Sequence, residues 1–142
     1  MAFGACFAKT LSILGVKKIF FSPGSRSTPM VIGVERFSDI DLIPVLDERT
    51  AAFLALGQSK RKKQPVGLIC TSGSALTHWF PAVTEASHSG IPLLLFLRTA
   101  LRNCRIAVQV KLSISKIYLA ILFANFTSLK FRKLMKIIVT TW

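Results

Sequence analysis

The chain has 142 residues, 51% of them hydrophobic, so its length allows one hydrophobic core of ordinary size but is short for two. Nineteen Lys and Arg residues outnumber six Asp and Glu residues, and the net charge of +13 excludes an acidic disordered chain. Residues 101–142 hold eight basic residues and no acidic one. We therefore expect one domain and a basic carboxyl-terminal segment.

Cysteine and hydropathy patterns narrow the class of protein. Cys6, Cys70 and Cys104 are odd in number and far apart, which favours neither a disulfide framework nor a zinc site. No uncharged run resembles a membrane-spanning helix, and the amino terminus lacks the pattern of a secretory signal. These patterns predict a protein of a reducing compartment that does not enter a membrane.

The chain opens with a helix, a strand and a second helix. Apolar residues at helical spacing predict a helix over residues 2–14. The apolar run 16–21 predicts a strand, which ends at the polar loop 22–27. A further helix is predicted after it, with Thr28 as its cap and Pro29 as its first residue.

The same order of patterns follows a second time. Residues 40–46 predict a strand and residues 47–50 a polar loop. Residues 51–58 are rich in helix-forming residues and carry Phe53 and Leu56 on one side, which predicts an amphipathic helix.

A third repetition begins after a basic stretch, 59–64, that predicts a surface loop. Residues 66–70 predict a strand, residues 71–74 a turn, and residues 75–86 a helix that Pro81 should kink. A fourth strand is predicted over residues 91–97.

This last strand shows no polar alternation, as expected when both faces of a sheet are covered. Four strands that alternate with helices predict an α/β fold in which helices flank a parallel sheet. Ligands of such folds bind outside the carboxyl ends of the strands. The three polar loops 22–27, 47–50 and 71–74 follow strand ends, so they can converge on one ligand there.

The loops offer specific chemistry. Arg26 lies next to a helix start, where a guanidinium and free backbone N–H groups suit a carboxylate or phosphate. Glu48 lies between apolar stretches, where it would lose hydration and could share a proton with a ligand nitrogen. Residues 71–75 have small side chains and would let a flat ring approach the backbone.

Each of these features also has an ordinary structural interpretation. Ser, Gly and Pro are common in turns, and acidic residues are favoured in the first turn of a helix. His78 and His88 are ten residues apart and have no carboxylate at ligand spacing, so they are more typical of core or surface histidines than of a metal site. No nucleotide-binding glycine motif occurs in the sequence.

Four motifs carry a family resemblance. Residues 20–29, 46–57, 70–75 and 81–86 resemble, in their order and spacing, the amino-terminal domain of the 2-succinyl-5-enolpyruvyl-6-hydroxy-3-cyclohexene-1-carboxylate (SEPHCHC) synthases. These are thiamine diphosphate enzymes of menaquinone and phylloquinone biosynthesis. The resemblance implies a pyrimidine-binding domain, decarboxylation of 2-oxoglutarate, and addition of the succinyl unit to isochorismate, with Mg²⁺ or Mn²⁺ at the diphosphate.

The resemblance also implies residue roles. Glu48 matches the glutamate that hydrogen-bonds the aminopyrimidine ring of the cofactor and helps it to lose a proton. The remaining matches are cofactor contacts at Thr71, Ser72 and Gly73 and substrate contacts at Ser25, Arg26, Arg98 and Gln109. The last two lie where the sequence departs from the family pattern, because the stretch after residue 97 is shorter than in the family.

Most of the family's length has no counterpart here. The Gly-Asp-Gly motif of its diphosphate-binding domain is absent from the sequence, which predicts an incomplete enzyme that supplies half a site. We expect a pyrimidine-binding domain over residues 1–109 and a divergent basic tail, or the remainder of that domain, over residues 110–142. The family implies a homodimer or homotetramer, and a separately encoded carboxyl-terminal part is an alternative. We expect the protein to be located in the cytoplasm, or in the plastid stroma if an organelle genome encodes it.

Two other functions stay open. The chain can be a non-catalytic remnant of a synthase. Alternatively, the basic residues interleaved with phenylalanines in residues 111–142 can form a nucleic-acid-binding module, although no nucleic-acid-binding motif supports this interpretation.

Overall fold

A five-stranded parallel sheet forms the centre of the fold in this computed structural model, which describes residues 2–71, 73–97 and 122–123. The strands are β1 (Lys18–Phe21), β2 (Asp41–Pro44), β3 (Val66–Cys70), β4 (Leu93–Leu97) and β5 (Leu122–Phe123). Their order across the sheet is β2-β1-β3-β4-β5, and all neighbouring strands are parallel. The α/β class expected from the sequence is confirmed.

Helices cover both faces of this sheet. They are α1 (Ala2–Ile13), α2 (Thr28–Phe37), α3 (Glu48–Lys62), a 3₁₀ helix (Gly73–Trp79) and α4 (Phe80–Ser89). The first two pack on one face of the sheet, and the other three pack on the opposite face, so that two apolar clusters sandwich the strands. In consequence every residue of β3 and β4 is buried, and for β4 this confirms the prediction made from its lack of polar alternation.

Helix α3 differs from its prediction at its end and on its buried face. The loop predicted for residues 59–64 is wrong, because α3 continues to Lys62, where basic side chains are favoured by the carbonyl end of a helix. Lys63 ends the helix in a left-handed conformation with φ 53°. Phe53 is 46% exposed, and the buried face consists instead of Ala51, Ala52, Ala55, Leu56 and Ser59.

Two other helix starts also differ from the prediction. The helix predicted over residues 75–86 is a 3₁₀ helix followed by α4. Pro81 lies in the first turn of α4, where a missing N–H breaks no hydrogen bond, so it marks a helix start and not a kink. At α2 the N-cap is Ser27, without a side-chain cap bond, and Thr28 is the first helical residue.

Helices α1 and α2 are in direct backbone contact. A Cβ atom built on Gly33 would lie 2.4 Å from the Cα of Gly4, and one built on Gly4 would lie 2.7 Å from the Cα of Gly33. Real Cβ atoms do not approach backbone atoms so closely. The contact therefore requires glycine at both positions.

The segment after β4 is described only at residues 122–123, which pair with Phe96 and Leu97. The boundary predicted between residues 109 and 110 stays a prediction. In the described ranges, no helix is both long enough and apolar enough to cross a membrane.

Candidate functional site

The loop after β1 is held in shape by its own hydrogen bonds. The carbonyl oxygen of Gly24 accepts hydrogen bonds from the backbone N–H of Ser27 at 3.1 Å, from its hydroxyl at 2.9 Å and from the Thr28 hydroxyl at 3.2 Å. Ser25 and Arg26 lie on this turn and are exposed. The turn thus presents both predicted substrate-binding side chains at the carboxyl edge of the sheet.

This first loop touches the end of β3. The backbone N–H of Ser22 donates to the carbonyl of Ile69 at 2.9 Å, which extends the β1–β3 pairing into the loop. A Cβ atom on Gly24 would lie 2.7 Å from the Cβ of Thr71. Since a side chain at position 24 would collide with Thr71, the glycine permits this close approach.

The loop after β2 is joined to the same edge and starts α3. The backbone N–H of Val45 donates to the carbonyl of Phe21 at 2.9 Å. Asp47 is the N-cap of α3, and its Oδ1 accepts hydrogen bonds from the Thr50 backbone N–H at 2.7 Å and hydroxyl at 2.8 Å. Glu48 is the first residue of the helix and is half-buried.

Glu48 acts electrostatically on the end of β3. Burial raises the pKa of the Cys70 thiol, and the negative charge of Glu48 raises it further. The Glu48 carboxylate is therefore close enough to β3 for its charge to affect the pKa of the Cys70 thiol. The loops that follow β1, β2 and β3 meet at one edge of the sheet, as expected from their places in the sequence.

Cys70 should be chemically inert because its thiol is buried and its pKa is raised. In a Cys104→Ser chain, Ellman's reagent should titrate one thiol under native conditions, that of the exposed Cys6, and two in denaturant. A Cys6→Ser variant of this chain should show no native reaction. Fast reaction of that variant would contradict the buried position of Cys70.

Sequence reasoning did not connect His78 with this edge. The pKa of Asp47 is lowered mainly by hydrogen bonds with Thr50. The charges of Arg49 and His78 lower it by a smaller amount. The 3₁₀ helix therefore brings His78 near the start of α3. His78 is exposed, and so is His88 on α4. Within the described ranges, no three His, Cys, Asp or Glu residues are grouped to hold a metal.

The cap of α3 gives a pH-dependent contribution to stability. Hydrogen bonds from Thr50 hold the pKa of Asp47 below its ordinary value of 3.8. This contribution is complete above that ordinary value and is lost as the pH falls through the lower folded value. In urea unfolding, Asp47→Asn should remove part of the stability loss between about pH 5 and about pH 2. The exposed Asp39→Asn should leave that loss unchanged.

The predicted site residues are thus only partly described. Ser25, Arg26 and Thr71 lie on the loops at the carboxyl edge. Glu48 begins α3 there, and Gly73 begins the 3₁₀ helix instead of lying in a turn. Glu48 is half-buried, so the enclosed surroundings expected for it are not complete within the described residues. Ser72, Arg98 and Gln109 lie outside these residues.

The described part of the carboxyl edge offers the carboxylate of Glu48 beside loops of small residues. Gly24 lies against Thr71 where two of the loops meet, and the charge of Glu48 acts on Cys70, the residue before Thr71. A carboxylate of this kind can accept a hydrogen bond from a ring nitrogen or hold its proton. The described residues provide no acidic cluster for a divalent ion.

The sequence matches a characterised family and several curated proteins. Residues 1–101 match the family described as thiamine pyrophosphate enzyme, N-terminal TPP binding domain. Relatives named 2-succinyl-5-enolpyruvyl-6-hydroxy-3-cyclohexene-1-carboxylate synthase are 52% identical over 92 residues in Microcystis aeruginosa, 47% over 108 in Acaryochloris marina and 52% over 91 in Lactococcus lactis.

These matches cover most of this chain but little of the relatives. They include 65%, 74% and 64% of the chain and 16%, 18% and 16% of the three relatives, respectively. The chain therefore corresponds to one part of a much longer enzyme.

Proposed function

Since the chain belongs to the family of thiamine pyrophosphate enzyme N-terminal TPP binding domains, we propose that it provides the pyrimidine-binding half of a SEPHCHC synthase active site. The observation that carries this proposal is the meeting of three loops at the carboxyl edge, with the Glu48 charge acting on the end of β3. The complete enzyme would decarboxylate 2-oxoglutarate and transfer the succinyl unit to isochorismate.

Glu48 would hold the pyrimidine ring of thiamine diphosphate. When bound, this cofactor supplies the acidic thiazolium carbon at which carbon–carbon bonds are broken and made. The Glu48 carboxylate would hydrogen-bond a ring nitrogen and hold a proton there, while Thr71, Ser72 and Gly73 would lie against the ring. Because Cys70 remains an uncharged thiol, it adds no second negative charge next to Glu48.

Arg26 and Ser25 would bind the substrate. Both are exposed on the turn that follows β1, and this turn is in contact with Thr71 through Gly24. A guanidinium provides a planar pair of donors that matches the carboxylate of isochorismate. Arg98 and Gln109 would add substrate contacts from the segment after β4.

The rest of the site would come from other parts of the enzyme. Leu46, which lies two residues before α3, is 87% exposed. Phe80, the first residue of α4, is 67% exposed. Large exposed apolar side chains near a site favour burial by another protein surface. We propose a dimer or tetramer, or a second chain, that contributes the diphosphate site with Mg²⁺ or Mn²⁺, in the cytoplasm or plastid stroma.

A chimeric enzyme tests this function. The 92 matching residues of the Microcystis aeruginosa synthase would be replaced by those of this chain, and consumption of isochorismate and 2-oxoglutarate would be measured with thiamine diphosphate and Mg²⁺. We expect turnover that depends on the cofactor. A folded chimera that binds the cofactor but shows no turnover would favour a non-catalytic remnant. RNA binding by the original chain, combined with an inactive chimera, would favour the nucleic-acid-binding alternative.

A further inference from the structure

A basic groove lies at the amino edge of the sheet, at the opposite end of the strands from the loops described above. Its volume is about 420 Å³, and it lies between the start of β1, the last turn of α3 and the start of β3. We call it the cationic groove, and the polar side chains that line it are Lys17, Lys18, Gln58, Arg61, Lys62 and Gln64.

Most of the positive charge of the cationic groove is uncompensated. Among the described residues no acidic one lines it, and Lys18 forms an ion pair with Asp41 at 2.7 Å. Three basic side chains remain, those of Lys17, Arg61 and Lys62. The carbonyl end of α3 contributes about half a negative charge. That partial charge is small against three positive charges, so the groove attracts anions.

The walls of the cationic groove are fixed by buried contacts. Ser59 is 1% exposed, and its hydroxyl lies 2.8 Å from the carbonyl oxygen of Gln64 and 3.0 Å from that of Pro92. These contacts tie the end of α3 to the start of β4. Val66 is 2% exposed and forms part of the lining at the start of β3. The basic side chains are therefore carried by backbone held on two sides.

From this geometry we propose that the cationic groove binds an oligophosphate chain, either free or as part of a nucleotide. Its volume lies within the range of about 300–1,000 Å³ that holds small molecules. A guanidinium and two ammonium groups can bind several anionic oxygen atoms at once. An oligophosphate offers that many oxygens, whereas a single carboxylate does not. Gln58 and Gln64 add neutral amide donors beside the charges.

The cationic groove is separate from the proposed catalytic half-site. Strand β3 begins at Val66, which lines the groove. It ends at Cys70, on whose thiol the charge of Glu48 acts. Four residue steps in a strand span about 13 Å, so the groove and the carboxyl edge do not share side chains. Binding in the groove does not require the chain to belong to an active synthase.

Calorimetric titration of the full chain with inorganic tripolyphosphate tests the proposal. The Arg61→Gln/Lys62→Gln variant should bind tripolyphosphate at least tenfold more weakly than the unchanged chain. Its matched control is Lys9→Gln/Arg36→Gln, which removes the same charge from exposed helix positions outside the groove and should change binding less than twofold. Glutamine has a helix propensity close to those of Lys and Arg, so both variants should fold.

Several outcomes would overturn the proposal. No binding by the unchanged chain, or equal loss in the two variants, would mean that net charge or the basic residues 101–142 account for any attraction. Tight binding of a single-stranded RNA oligonucleotide without binding of tripolyphosphate would favour a nucleic-acid surface instead. ATP binding above that of tripolyphosphate would assign a nucleotide, and equal binding would assign the chain of phosphates itself. AMP binding equal to that of ATP would contradict an oligophosphate site.

Discussion

Glu48→Gln in the synthase chimera is expected to reduce the turnover number at least about a hundredfold, because glutamine cannot hold the proton that a carboxylate shares with the pyrimidine ring. Glutamine has nearly the same shape and keeps the half-buried position filled. Asp47 still caps α3, so the helix should start at the same residue. The measurement is the steady-state rate at saturating isochorismate, 2-oxoglutarate and cofactor.

The matched control is Glu85→Gln. Glu85 is exposed on α4, and its carboxylate accepts a hydrogen bond from Ser89 at 2.9 Å. Removing its charge should leave turnover within twofold of the unchanged chimera. Equal activity of the two variants would show that Glu48 holds no catalytic proton, even if the chimera itself is active.

Gly33→Ala is expected to lower the free energy of unfolding by about 3 kcal/mol, near the upper end of the cost of overpacking. The added methyl group would lie 2.4 Å from the Cα of Gly4 and 2.9 Å from its carbonyl carbon and oxygen. Backbone atoms cannot move aside as the tip of a side chain can. The helices α1 and α2 must therefore separate, and the apolar cluster between them and the sheet would loosen. Urea denaturation of the full chain measures the loss.

Gly57→Ala supplies the comparison. Gly57 lies inside α3, and apart from its chain neighbours and the backbone of its own helix no described atom lies within 4 Å of the position of its Cβ. Alanine there should stabilise the chain by about 0.4–1 kcal/mol, since it reduces the freedom of the unfolded chain and favours the helix. The same substitution should thus have opposite signs at two helical glycines. A similar effect at both would contradict the tight contact of α1 with α2.

The buried strands could be predicted because their residues leave few alternatives. Residues 66–70 and 91–97 are apolar without alternation. Such short apolar runs are typical of strands that are covered on both faces. Their order predicted parallel pairing and placed the polar loops at one edge. The meeting of these loops at the end of β3 agrees with that prediction.

Other features depend on contacts that the sequence does not display. The basic residues up to Lys62 look like a loop by charge, but Ser59 binds two carbonyl groups that hold the end of the helix. The buried face of α3 consists mainly of alanines, whereas Phe53 is exposed, because small side chains let the helix approach the sheet closely. Glu48 is half-buried although apolar residues flank it in the sequence, because the exposure of the first residue of a helix depends on tertiary contacts that neighbouring letters do not show.

Strand β2 is the outermost strand on one side of the sheet, and its composition limits unwanted self-association. It spans four residues, begins with the charged Asp41 and ends with Pro44, which has no N–H to offer to an incoming strand. Short length, charge and proline are the devices by which proteins discourage edge-to-edge aggregation. This border of the sheet is therefore a poor template for amyloid-like stacking, and fibril formation should not start there.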